Sequence, residues 1–154
     1  MHTGFALKAM LRSFYAAQGL TPDLIERKID GDLKREPCAL LGGRTPTVAQ
    51  QTLGTEWGRD LIAPDLWLAA WDREARRRLA AGEVAVVNDS IRFENEAAAI
   101  RALGGRVIRL AGRRDPRVEV AHASERGVLA DLTIDNTGDL AATVEGVVRA
   151  ARAL

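Results

Sequence analysis

The sequence predicts an α/β domain, with a small, mainly parallel sheet of about three strands flanked by helices. Three observations predict it. Short apolar runs with β-branched residues stand at 84–87, 106–110 and 132–134, as strands buried in a parallel sheet do. Helical patterns alternate with those runs, which makes the connections crossovers. Glycine and proline punctuate the chain between the patterns. The 154 residues suit one domain spanning 1–154.

The elements follow in chain order. Phe5, Leu7, Leu11 and Phe14 fall close to one helical face, so a helix is expected over about 4–18, with Gly19 as its stop. Thr21-Pro22-Asp23 supplies a capping hydroxyl, a proline at the first helical position and an early acid. A short helix therefore starts there and ends near Asp30-Gly31. Residues 36–44 contain Pro37, Gly42 and Gly43 and read as a loop. Thr45-Pro46 repeats the cap-then-proline signal and opens a helix through about Thr52. Residues 53–59 are less regular, and Gly54 and Gly58 suggest a bend or a close backbone approach. Pro64-Asp65 starts the clearest helix, with Leu68, Trp71, Ala75 and Leu79 as its stripe and Gly82 at its end. Arg73, Arg76 and Arg77 lie largely off that stripe, on a solvated face.

Residues 84–87 form the first expected strand. An alanine-rich helix over 95–103 follows, stopped by Gly104-Gly105, and residues 106–110 form the second strand. The crossover from Val87 to Arg106 should be right-handed. Residues 111–120 are polar and arginine-rich and read as a loop, although Val118-Glu119-Val120 could extend. After the third strand, Asn136-Thr137-Gly138-Asp139 makes a turn, with Asp139 or Thr137 as cap. The last helix carries Leu140, Val144, Val147, Val148 and Ala151 on one face.

Composition narrows the function. The chain is 47% hydrophobic and 28% charged, ordinary for a globular domain with a core. A net charge of +1 gives no general attraction to nucleic acid or to an anionic membrane. Cys38 is the only cysteine, which excludes an internal disulfide and a cysteine-rich zinc site. His2 and His122 are too few for a histidine metal site, so no metal centre is expected. No apolar run approaches the roughly 20 residues of a membrane span, and no secretory signal is visible. A cytoplasmic protein is expected.

Four clusters hold polar residues that a bare scaffold would not need. Gln51-Thr52-Leu53-Gly54-Thr55-Glu56-Trp57-Gly58-Arg59 could stack a base on Trp57, read its edge with Gln51 and hold phosphate with Arg59. Alternatively, Trp57 is core and Glu56 pairs with Arg59. Asn88-Asp89-Ser90-Ile91-Arg92-Phe93-Glu94-Asn95-Glu96 follows the first expected strand. Ligands in open α/β sheets bind beyond such strand ends, although Asp89 or Asn95 would equally cap the next helix. Arg113-Arg114-Asp115-Pro116-Arg117 is either a clamp for a transferring phosphoryl group or a solvated basic loop. His122-Ala123-Ser124-Glu125-Arg126 has no G-x-S-x-G elbow beside it, which argues against a hydrolase triad. Neither G-x-x-x-x-G-K-[ST] nor G-x-G-x-x-G occurs, so the chain has no sequence-visible cradle for a triphosphate or a dinucleotide.

At these clusters the chain resembles phage deoxynucleoside monophosphate kinases, members of the P-loop kinase group. The resemblance runs from about Phe5 to the last helix. It is carried by Phe5-Ala6-Leu7-Lys8 continuing as Met10-Leu11-Arg12, by the Thr45-Pro46 to Arg59 segment, by Ser90-Ile91-Arg92-Phe93-Glu94-Asn95-Glu96, by Gly104-Gly105-Arg106-Val107-Ile108-Arg109, by His122-Ala123-Ser124-Glu125 and by Asn136-Thr137-Gly138-Asp139-Leu140. It implies a truncated P-loop-kinase-like three-layer fold. It also implies nucleotide-binding roles for Lys8, Gln51, Thr55, Glu56, Trp57, Arg59, Asn95, Glu96, His122, Ser124 and Glu125. Asp89, Arg92, Arg113 and Arg114 would be catalytic if the chain is active.

Three departures touch phosphate or metal. Only four residues precede Phe5, where the family has its opening strand and P-loop. The family's acid two positions before the signature arginine is Ser90 here, with Asp89 one position away. Thr47 stands where an arginine is expected after Thr45-Pro46. Phosphoryl transfer depends on positioning and charge neutralisation. The expectation is therefore a protein of a bacterial or phage-infected cell that binds a (deoxy)nucleoside monophosphate or related phosphorylated ligand without ATP turnover. ATP and Mg2+ enter only if a P-loop is supplied. Two other functions are weighed: an active kinase whose P-loop lies upstream, and an interaction protein that contacts a host or phage protein. In the family, the missing strand would lie between strands 84–87 and 106–110. Those two are then expected to pair directly, or a homodimer would cover their edges.

Overall fold

Thr21 and Thr45 cap their helices as their sequence context predicts. Thr21 Oγ1 accepts the Leu24 N–H at 3.4 Å, and Thr45 Oγ1 accepts the Val48 N–H at 3.2 Å. Each cap is followed by a proline whose missing N–H costs nothing at that position. A computed structural model describes residues 1–112 and 128–152 of the chain. It divides into two compact units, Met1–Asp89 and Ser90–Leu154.

The described first unit is helical. It comprises α1 (Phe5–Ala17), α2 (Pro22–Ile29), α3 (Pro46–Thr52), a π-helical segment (Leu53–Ile62) and α4 (Leu66–Ala80). Two 3-10 turns, Asp32–Arg35 and Ala39–Leu41, join α2 to α3. Gly19 ends the first helix with φ 80°, a left-handed value that glycine adopts without penalty. Leu11, Tyr15, Ile25, Ile29 and Cys38 form the core, with Leu20, Leu41, Ala49 and Leu53 packed around it. Burial, and then the neighbouring Cys38, push the Tyr15 hydroxyl up to about 12.

The stripe of α4 differs from expectation at its ends. Trp67, Trp71 and Ala75 are buried, Leu68 is half-buried and Leu79 is exposed. Burying Trp67 removes more apolar surface from water than burying Leu79 would. On the outer face, Arg76 pairs with Asp72 at 2.9 Å and Arg77 with Glu74 at 2.6 Å. Those arginines and Arg73 are solvated, as the pattern predicts.

Residues 84–87 are not a strand, which corrects the sequence reading. Val84 and Val87 are exposed, at 101% and 69%. The Val87 carbonyl accepts from the Met1 amino group. A four-residue apolar run states a preference for burial but cannot provide the neighbouring strand that a ladder needs.

The second unit carries α5 (Glu94–Ala102), β1 (Ile108–Ala111), β2 (Leu132–Asp135) and α6 (Leu140–Arg152). β1 and β2 pair in parallel, Ile108 opposite Leu132 and Ala111 opposite Asp135. Among the described residues the sheet therefore has two strands rather than about three, flanked by helices. With residues 84–87 outside any strand, the expected pairing and the right-handed crossover both lack their first strand. Ala97, Val107 and Val128 form a small core with Ile91 against it.

Polar ties reinforce this small core. Arg101 Nε donates to Asp131 Oδ1 at 3.0 Å and its Nη2 to the Leu129 carbonyl at 2.6 Å. The Val107 N–H donates to Asp131 Oδ2 at 2.7 Å. α6 buries Thr143 and sets Gly146 against Ile134, while Leu140, Val144 and Val148 are exposed. Of the expected apolar face, Val147 is half-buried and Ala151 is exposed with the other three, so the packed side is centred on Thr143 instead. Thr143 Oγ1 donates to Asn136 Oδ1 at 3.1 Å, which compensates its burial.

Candidate functional site

The first unit contains an open groove of about 640 Å3, within the size range of small-ligand sites. α1 contributes Leu11. The loop before α3 contributes Leu41 and Arg44. The continuous helix of α3 and the π segment contributes Val48, Ala49, Thr52, Leu53 and Trp57. Most of this lining is apolar, with the Arg44 guanidinium, the Thr52 hydroxyl and the Trp57 indole as its polar groups.

One glycine allows the π segment to lie against α4. A Cβ on Gly58 would stand 2.4 Å from Trp67 Nε1, so only glycine fits under that indole. The Trp67 N–H donates to the Gly54 carbonyl at 2.8 Å. Ala63 N–H donates to Gly58 O at 3.0 Å, five residues back, which is the π pattern. Single π turns often occur at functional sites. Here the segment follows a helix that turns Val48, Thr52 and Trp57 toward one groove. Trp57 is 37% exposed, and its ring centroid lies 5.9 Å from that of Trp67. One indole therefore stays buried, and the other offers a surface to the groove.

The sequence-named residues divide accordingly. Trp57 lines the groove. Gln51, Thr55 and Glu56 are exposed on the same helical stretch and Arg59 is half-buried, but none of the four lines the groove. Lys8 is ion-paired to Asp30. Gln50, next to the named Gln51, donates to the Ile29 carbonyl at 2.9 Å and so satisfies the end of α2. Asp89 is exposed at the end of the first unit. Its charge opposes the lowering of the His2 pKa, which burial drives first and Lys8 second.

In the second unit, Asn95 and Glu96 serve the start of α5. Glu96 is 3% exposed, and its Oε2 accepts the Arg92 N–H at 2.8 Å and the Phe93 N–H at 3.3 Å. Asn95 Oδ1 accepts the Glu96 N–H at 3.0 Å. This is the carboxylate half of a capping box. Arg92 is exposed. Arg113, Arg114, His122, Ser124 and Glu125 lie outside the described residues, as do Val118 to Val120. Among the described residues, no group of His, Cys, Asp or Glu side chains is arranged to hold a metal ion. None of the described helices is long and apolar enough to cross a membrane.

Sequence reasoning missed Arg44, Thr52, Val48, Leu11 and Leu41 as groove residues. Val48, Thr52, Leu53 and Trp57 repeat at four- and five-residue spacing, a signal visible in the sequence once the helix is continued past Thr52. Arg44 had no such signal, because the loop's path decides where it points.

No protein-family model, no curated protein and no solved structure matches the chain.

Proposed function

We propose that this chain is a nucleotide-kinase-like protein that binds a deoxynucleoside monophosphate, or a related phosphorylated ligand with a flat ring, without turning over ATP. One observation carries the proposal. Trp57, from the motif most specific to the resemblance with phage deoxynucleoside monophosphate kinases, lines an open groove with part of its indole exposed. An exposed indole stacks a base without reading its identity. The chain contains no G-x-x-x-x-G-K-[ST], the loop that grips a triphosphate tail.

Calorimetry with the four deoxynucleoside monophosphates tests the binding. Wild type is expected to bind at least one. Trp57→Ala should bind about 5- to 150-fold more weakly, the worth of one base–aromatic stack of about 1–3 kcal/mol. Unchanged affinity in that variant would remove Trp57 from the site. Incubation with ATP and Mg2+ should yield no deoxynucleoside diphosphate.

A second reading, a phage interaction or regulatory protein, has its own supporting observation. The second unit exposes Leu110, Leu129 and Leu132 in and beside its strands, and Leu140, Val144 and Val148 on α6. Apolar exposure of this kind suits a host or phage protein partner or a second copy of the chain. Specific capture of one such partner, with no heat from any nucleotide, would favour it.

A further inference from the structure

We infer that Arg44 is the residue that holds the ligand's phosphate, which rests on the nucleotide reading above. Among the described residues, Arg44 is the one charged side chain that lines the groove, and no carboxylate lines it. Three other basic side chains of the first unit are engaged in ion pairs. Lys8 pairs with Asp30, Arg12 with Glu26 and Asp30, and Arg27 with Asp32. Arg59, the phosphate ligand that the sequence pattern suggests, does not line the groove. A guanidinium with no ion pair among the described residues, beside an apolar wall and an exposed indole, suits a ligand with a flat ring and an anionic end. Its planar fork of donors suits phosphate.

The loop that carries Arg44 is held in shape by its own backbone. The Cys38 N–H donates to Arg44 O at 3.0 Å, the Arg44 N–H to Leu41 O at 3.1 Å and the Gly43 N–H to Cys38 O at 3.0 Å. Gly42 and Gly43 take φ values of 60° and 82°, which glycine adopts without strain. Cys38 anchors this loop in the core, at 3% exposure. The Arg44 main chain is thus fixed before any ligand arrives, and only its side chain has to order on binding. Pre-organisation of this kind limits the entropy lost on association.

The test compares each deoxynucleoside monophosphate with its unphosphorylated deoxynucleoside, by calorimetry on the full chain. Wild type should prefer the monophosphate. Arg44→Met should weaken monophosphate binding about 10- to 100-fold, the range for hydrogen bonds to a charged group, and leave deoxynucleoside binding unchanged. Arg35→Met removes an exposed arginine that does not line the groove and should change neither affinity. If Arg35→Met matches Arg44→Met, the effect is one of general charge and the assignment fails. Wild type that binds deoxynucleoside and monophosphate equally overturns the assignment of Arg44 but keeps the nucleotide reading. Wild type that binds neither overturns both.

Discussion

Individual side chains show how few groups determine each unit's behaviour. Asp131 accepts the Val107 N–H and lies against Arg101, and the backbone hydrogen bond, followed by that arginine, holds its carboxyl below the usual carboxylate range. A carboxyl whose pKa is lower in the folded chain adds stability that is complete above its ordinary value, near 4, and is lost as pH falls through the folded value. Thermal unfolding should therefore give a lower Tm for Asp131→Asn than for wild type at pH 7. That gap should close as the pH drops below about 4. A gap independent of pH would show that the charge is not what matters. Trp57 and Arg44 show the limits of reading single residues from sequence. Trp57 was legible as a groove candidate because it stands in a polar cluster. The guanidinium was not, because its position depends on two left-handed glycines and a backbone bond to Cys38.

The elements were legible where their signals are local. Thr21-Pro22, Thr45-Pro46 and Gly19 act within one helical turn, and the helix limits follow them. The run at 84–87 failed because a strand is defined by a partner that its own residues do not encode. The apolar face of α6 failed for a related reason, since which face is covered depends on the narrow sheet beneath it. The irregular stretch after Thr52 was read correctly as a site of close approach, but its π-helical form depends on Trp67 of α4 lying over Gly58. This contact gives a direct prediction. Gly58→Ala would press a methyl group into the buried indole and should destabilise the chain by about 1–3 kcal/mol or more. Urea unfolding followed by tryptophan fluorescence measures it, and a variant as stable as wild type would mean that α4 can shift away at little cost.

At the scale of the whole molecule, the chain consists of two units of different construction. The first is helical, with an aromatic and aliphatic core, and holds the entire groove. The second builds a two-stranded parallel sheet on a smaller core and relies on Arg101 and Asp131 to tie its segments. The α/β class with a small parallel sheet was readable from the alternation of patterns, whereas the division into units was not, because it depends on which contacts form. The ligand binding proposed above belongs to the first unit alone, at Trp57. The most direct test records the three indole N–H signals by NMR while a deoxynucleoside monophosphate is added. The account predicts that the Trp57 signal and the amides of Arg44 and Thr52 move with ligand. The signal of Trp71, which donates to the Met1 carbonyl at 3.0 Å away from the groove, should stay in place. Shifts confined to the second unit, or no shift at any indole, would contradict it.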